Sequence, residues 1–571
     1  MTNQEEQIPN EILDLIRQAM QLSDISMESN EQTANDAIAA WQNIIAHPLL
    51  PESIIPEMYE EAGYSFLQRY WRMGNLDDLN IAIQNEEKCV DLTPKEHPAR
   101  PGRLNNLSNI LGDRFKRLGK LDDLNKAIQY YEETIRLTPK NHPDHGMYLN
   151  NLGTILADRY RHQGNMDDLN KAYKYAEEAV ALTPEDDPNL AMYINNLGNA
   201  HLERYKRLGK LDDLNQAIVQ YENAVNITPE GQRDRPVWLN NLGYSLGSLY
   251  LRLGNMDELN KSIAYGEEVV NLTAEGYPNR AIYLSTLANS LIDRYLRLGE
   301  ENDLDNAFQY YDEAVKITPK GHRNRPGVLN NLCNALVTRY KRHGERKDIN
   351  KAITYGEDVV KLTPEGHPDR AMYLSTFGNC LGNRYLQERE LDDLNKSIQY
   401  YEEAVNITPE EHPNRPGMLN NLGNALVNHS QHLESPDDLD KAIAYVKGAI
   451  ELTPENHPEK PNFLNTLGNA LGDRYEQLGE LDDLNQAIQN YEEAINITPE
   501  CHSNRAGLLN NLSYVLGKRY NQLGKLDDLN KAIASGEEAV ALTPKEHLNR
   551  SLFLNTLGIA LEMREKLNNS E

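Results

Sequence analysis

Aspartate, histidine, cysteine and lysine recur along this chain at fixed places, and each brings its own chemistry. Asp-Asp pairs such as Asp122-Asp123, Asp167-Asp168 and Asp392-Asp393 have the composition of a general acid–base dyad. They return too often for one catalytic centre, whereas a cap on the free N–H groups of a helix start explains every copy. Eight of the fifteen histidines, at 97, 142, 322, 367, 412, 457, 502 and 547, occupy one loop position. Spaced ~10 Å apart if units stack at helix-packing distance, they cannot share a metal ion, and the H-x-x-H of His429 and His432 is incidental. Gly119-Lys120, Gly209-Lys210 and Gly524-Lys525 are followed by leucine, whereas a P-loop needs Ser or Thr between strand and helix. Cys89, Cys333, Cys380 and Cys501 stand far apart without a C-x-x-C, against a disulfide framework or zinc knuckle, and without a triad-like context. No catalytic residue, no metal and no cofactor is expected, so the chain reads as a non-enzyme.

Two further series suit binding. Asn106, Asn151, Asn196, Asn241, Asn331, Asn421 and Asn511 recur in register, interrupted by Thr286, Thr376, Thr466 and Thr556. An amide offers a donor and an acceptor at once, which suits the backbone of an extended peptide. The alternative is that these amides solvate a helix face or bond across units. Arg72, Arg117, Arg207, Arg252, Arg297 and Arg342, with His162, form a basic stripe whose later counterparts are Gln387, His432, Gln477 and Gln522. Cations at a helix C-terminus offset its dipole by ~0.3–1 kcal/mol each. That does not explain why later copies dispense with them, so an acidic or phosphorylated ligand segment is expected in the first part.

The elements that must position these residues come from an internal repeat. Leu92-Thr93-Pro94 returns as Leu-Thr-Pro, Ile-Thr-Pro or Leu-Thr-Ala, with eleven threonines from Thr93 to Thr543 standing 45 residues apart. Two helical segments fill each period. Leu149, Leu152, Leu156 and Tyr160 trace one face of a first helix, leaving the analogues of Asn105, Asn106, Asn109 and Asp113 opposite. Leu124, Ala127, Ile128, Tyr131 and Ile135 trace the buried face of a second helix, which proline stops. A 90-residue rhythm overlies the 45: Tyr131, Ala176, Tyr221, Gly266, Tyr311, Gly356, Tyr401, Val446, Tyr491 and Gly536 alternate large and small. The residue before the next Leu-Asn-Asn-Leu mostly does the reverse, as at Gly266 with Tyr283 and Gly356 with Tyr373. Contact between the two, at constant volume, is expected. A second recurrent arginine, from Arg69 and Arg114 to Arg519 and Arg564, borders the apolar face and is read as structural, paired with the acids that open a second helix.

Leu149-x2-Leu152-Gly153, Ala127-x3-Tyr131 and Pro139 match the tetratricopeptide pattern, with leucine replacing its tryptophan. The chain resembles a tetratricopeptide repeat array of the long-helix type, similar to kinesin-light-chain repeats and to arrays preceding caspase-like (CHAT) or nucleotide-binding domains in fungal and cyanobacterial proteins. The resemblance implies an all-α, right-handed α-solenoid of antiparallel helix pairs, a superhelix with a 45-residue period and a 90-residue superperiod, whose first helices line a concave groove. The expected organisation is a tail and degenerate capping repeat over 1–58, eleven helix pairs over 59–553 and a partial capping helix over 554–571.

Composition bounds the rest. At ~150 residues per domain, 571 residues suggest three or four domains, a count the repeat replaces. Tyr 31 against Phe 6 reflects one copied pattern, and the net charge of −29 argues against a nucleic-acid or anionic-membrane partner. The start lacks a signal peptide and no run nears ~18 apolar residues. Sequons such as Asn106-Leu107-Ser108 fall inside helices, so a cytoplasmic setting is expected. The expected function is a protein-binding scaffold that holds an extended, acidic peptide in the groove, with no nucleic acid, no membrane and no assigned oligomeric state. The rivals are a sensor array whose caspase-like or nucleotide-binding effector is lost or on another chain, and an enzyme with an unrecognised site.

Overall fold

The computed structural model describes residues 8–26, 31–322, 324–500, 502, 504–543 and 549–568. Cys501 and His547 lie outside these. Among the described residues the elements are twenty-five α-helices and one short 3-10 turn, without strands. The fold is an all-α solenoid of antiparallel helix pairs. A first helix of 19 residues, such as Arg100–Leu118, joins a second of 17, such as Leu121–Leu137, and the pattern repeats to Arg505–Leu523 and Leu526–Ala541. Asn10–Ser26 and Glu31–Ile45 precede the repeats, and Arg550–Asn568 follows them.

Local chemistry sets each boundary. Pro101, Pro236, Pro326, Pro416 and Pro461 open first helices, where a missing N–H costs nothing. Glycine closes most of them in the left-handed conformation, as at Gly119 (φ 68°) and Gly209 (φ 66°), while Arg389 and Glu434 adopt it with a side chain. The recurrent threonine ends the second helix: Thr138 Oγ1 donates to the Thr134 carbonyl at 2.7 Å, and Thr228 to Ala224 at 2.6 Å. The arginine that opens the next helix caps the same end. Arg235 Nη1 donates to the Val225 and Thr228 carbonyls, both at 2.7 Å. The loop histidine is structural too, its Nδ1 accepting the backbone N–H two residues on, at 3.2 Å for both His97 and His142.

The aspartate pairs do not cap. Helix Leu121–Leu137 starts from Lys120 without a side-chain cap, and the caps observed elsewhere come from Asn75 and Asn255. Asp123, 3% exposed, instead takes the bidentate fork of Arg114 at 2.6 and 2.8 Å. Arg114 Nη1 also reaches Asn80 Oδ1 of the preceding unit at 3.1 Å. The same three-helix clamp recurs at Arg159, Arg384 and Arg519. The arginine beside the apolar face thus finds the acid partner read from the sequence, and the unit-to-unit bond is additional.

The core lies between neighbouring helices. Leu149, Leu152, Leu156 and Tyr160 are all buried, as are Leu124, Ala127, Ile128 and Tyr131. The alternating tyrosines lean on their own unit's first helix. A Cβ at Gly198, Gly378 or Gly468 would meet Tyr221, Tyr401 or Tyr491 within 2.6–2.8 Å. The small residues of the other units are filled by Leu287 over Gly266 and Phe377 over Gly356, so the nearest atoms are not those of Tyr283 and Tyr373. Volume is traded across the boundary one helical turn beyond the expected position.

By contacts the chain forms two compact units, one of Met1–His162, Met166–Asn196 and Gly366–Pro368, the other of Gln163–Asn165, Leu197–Glu365 and Asp369–Glu571. Three or four separate globular cores are not present among the described residues.

Candidate functional site

The Leu-Asn-Asn-Leu run puts two amides on each first helix, and they behave differently. The first is buried: Asn105, Asn150 and Asn195 are 3–5% exposed. The second is more open and reaches back one unit. Asn151 Nδ2 donates to Asn105 Oδ1 at 2.9 Å, Asn196 to Asn150 at 2.8 Å, and Asn511 to Asn465 at 2.9 Å. Asn421 donates to Ser375 Oγ at 3.1 Å, and Asn106 to Glu60 at 3.2 Å. Asn241 and Asn331 hold the same half-open register position. A third amide carries the alternating tyrosine, Tyr131 donating to Asn109 Oδ1 at 2.6 Å and Tyr401 to Asn379 at 2.7 Å. The expectation that all these asparagines turn from the core is corrected: the first of each pair is an interior acceptor, because the neighbouring first helix lies over it.

Threonine breaks the series in a specific way. Thr466 Oγ1 donates to its own helix at Asn462 O, 3.1 Å away, and Thr286 and Thr556 do the same. The buried Oδ1 atoms of Asn330, Asn420 and Asn510 are left without a hydrogen-bond partner. Asn420 lines a cleft of about 460 Å³ between helices Arg415–Leu433 and Lys460–Leu478. Carboxylates share this face: burial pushes Asp293 up to about 7, and it raises Asp473 despite the opposing hydrogen bond from Gln431.

The basic stripe stands at the first-helix ends. Arg117 and Arg297 are exposed, while Arg207, Arg252 and Arg342 are half-buried; the Arg72 side chain lies outside the described residues. Within the larger unit Arg252 Nη2 donates to the Asn456 carbonyl at 3.0 Å. His457 Nε2 stands 3.0 Å from the Lys206 carbonyl, and a Cβ at Gly209 would meet His457 Cα at 2.5 Å. Loops some two hundred and fifty residues downstream therefore seat on the ends of these helices. Burial holds His457 and His502 below the usual imidazole range, with Arg252 beside both.

A pair missing from the sequence reading is Cys333 with Cys380, both fully buried, with Cys333 Sγ donating to the Ala352 carbonyl at 3.3 Å. Their separation of 47, one period plus two, is the signal that would have found them. The neighbouring Cys380 thiol and burial push the Cys333 thiol up, the opposite of a nucleophile's needs. No group of histidine, cysteine and acid side chains suited to a metal occurs among the described residues.

A tetratricopeptide repeat family model matches residues 388–411, the second helix Leu391–Ile407 and its following turn, about half of one 45-residue unit. The array is built of tetratricopeptide-like helix pairs. No curated relative matches it. Among solved structures, the human IFIT1 dimer with PPP-AAAA is 16% identical, covering 81% of this chain and 90% of that one with a TM-score of 0.45. The same dimer with m7Gppp-AAAA covers 86% and 95%, at 16% identity and a TM-score of 0.47. BtubC (BKLC) from P. vanneervenii covers 42% of this chain and 88% of its own at 18% identity, with a TM-score of 0.31. These are likenesses of fold, and no residue role is taken from them.

One expectation is corrected by them. Nucleic acid was excluded on net charge, yet the IFIT1 structures hold PPP-AAAA and m7Gppp-AAAA. The physical reason is that net charge is a sum, whereas a ligand feels the local field. Here Arg207, Arg252 and Arg297 gather at first-helix ends while the acids are distributed over the repeats. No described helix is long and apolar enough to cross a membrane.

Proposed function

We propose that the array is a non-enzymatic scaffold that holds an extended peptide along its first-helix face, in a cytoplasmic setting. The observation that carries this is the amide ladder, Asn151 to Asn105, Asn196 to Asn150 and Asn511 to Asn465. Each inter-unit bond fixes the orientation of a half-open amide but uses only part of its hydrogen-bonding capacity. That orientation is set before a ligand arrives. A peptide backbone, with its alternating N–H and C=O groups, uses such a row without a strict side-chain sequence. Acidic residues of the ligand would meet Arg117, Arg207 and Arg297 at the first-helix ends; Arg252 is already engaged by Asn456.

The test is a binding screen of the full chain against a peptide library and a 5′-triphosphate oligonucleotide. Changing Asn196, Asn241 and Asn331 to Ala should abolish peptide capture with helix content unchanged, and reversing Arg207 and Arg297 should weaken acidic peptides selectively. Capture of the oligonucleotide with no peptide recovered would overturn the proposal.

A further inference from the structure

The open acceptors are not scattered. Asn330, Asn420 and Asn510 stand 90 residues apart, and each faces a unit that presents threonine, Thr376, Thr466 or Thr556, where a ladder amide would otherwise donate. An acceptor left buried and unpaired costs about 1–3 kcal/mol. The chain carries that cost in alternate units, while asparagine at the threonine position, as in Asn151 and Asn196, removes it. The three asparagines are 5%, 8% and 6% exposed, so water does not supply the missing donor freely.

We propose that these positions seat basic side chains of the bound peptide, arginine above lysine, at every second unit. The inference rests on the peptide-holding reading above and names the side chain it selects. In the cleft at Asn420 that residue supplies the open Oδ1, Asn421 and Asn424 further amides and Glu459 a carboxylate, with Phe463 as an apolar wall and no lysine or arginine in the lining. A guanidinium carries five N–H donors and no acceptor, so it complements such a wall, and an aromatic ring beside it adds to the attraction. An acidic side chain finds amide donors there too, but it meets the like charge of Glu459. Gly417 keeps the mouth wide, since a Cβ there would meet nothing within 4 Å. At Asn330 the residue in register with Glu459 is Asp369, and at Asn510 it is Asn549, so the first two seats carry a carboxylate and the third does not. Two units at helix-packing distance span ~20 Å, which an extended strand covers in about six residues. The ligand carries basic residues about six apart.

The experiment uses calorimetry on the full chain with four capped peptides of one Gly-Ser backbone: arginines six apart, arginines three apart, glutamates six apart, and none. Arginines six apart should bind at least about tenfold tighter than the others. Thr466→Asn copies the Asn151–Asn105 pair and satisfies Asn420, so it should raise the melting temperature and lower affinity for the arginine peptide severalfold. Glu459→Gln, on an exposed residue, should lower that affinity. Equal binding of the arginine and plain peptides overturns the basic seat and leaves the groove reading intact; binding of none overturns both. Unchanged arginine-peptide affinity in Thr466→Asn and Glu459→Gln, whatever their stability, also overturns the seat.

Discussion

Glu86 occupies the slot that Tyr131 and Tyr221 fill in later units, 2% exposed and packed against Gly63. Burial, reinforced by Glu60 and Glu61 and opposed by Arg103, pushes its carboxyl from 4.5 up to about 8. The acid is therefore protonated at neutral pH. Because its folded value lies above its unfolded one, its stabilisation is complete below about 4.5 and is lost as pH rises through about 8. Glu86→Gln keeps the shape and removes the titration. Its melting temperature should stay flat between pH 6 and 9 while that of the parent falls, by the equivalent of roughly 1–3 kcal/mol at the upper end. Parallel curves would refute the assignment. Nothing in a single glutamate at a tyrosine slot announces this, because the shift comes from its burial, with Glu60 and Glu61 across the helix pair adding to it.

Between helices, the arginine–aspartate clamp ties many units to the one before. Arg384 grips Asp393 at 2.6 Å through two nitrogens, and its third reaches Asn350 at 3.1 Å. Removing the arginine leaves Asp393 buried and unpaired, so Arg384→Ala should cost about 3 kcal/mol in denaturant unfolding. Lys396→Ala, which breaks an exposed pair with Asp392, should leave the unfolding midpoint essentially unchanged. Comparable losses would show that the clamp adds no more than a surface pair. This level of structure was largely legible: a nine-residue offset between Arg384 and Asp393 in a fixed period marks them as partners. The amide ladder was only half legible. A helical wheel gives the face on which Asn105 lies, but not that the next first helix covers it with Asn151 as donor. The empty acceptor of Asn420 was invisible for the same reason, since it depends on Thr466 turning its hydroxyl onto Asn462. Cys333 and Cys380 were missed because spacing was judged along the chain and not modulo the period.

At the scale of the larger unit, part of the basic stripe carries downstream loops. Arg252 and the Lys206–Gly209 turn receive the loop of Asn456 and His457, and His502 hydrogen-bonds the Leu251 backbone. Later first helices carry Gln477 and Gln522 in the same register, and Gly479 and Gly524 have nothing within 4 Å. Arg207 and close-packed Gly209 coincide where a downstream loop seats, while Gly299 and Gly344, beside Arg297 and Arg342, have nothing within 4 Å. The His457 ring fits that seam only when neutral: Nδ1 accepts the Glu459 N–H at 3.2 Å while Nε2 donates to Lys206 O. A second ring proton removes the acceptor and adds a cation beside Arg252 and Arg207, with only Glu459 to offset it. Since the folded value lies below the ordinary 6.5, the seam's contribution is complete above about 6.5 and is lost as pH falls through the lower folded value. Small-angle scattering should show a larger radius of gyration at pH 5 than at pH 7.5, with helix content retained. Gly209→Ala should expand the protein already at pH 7.5, because its Cβ would stand 2.5 Å from His457 Cα. Gly479→Ala places the same strain on a left-handed residue (φ 75°) with open space around it, so it should lose about 1 kcal/mol of stability without expansion. Equal expansion in both variants would assign the effect to backbone strain and remove the seam as its cause.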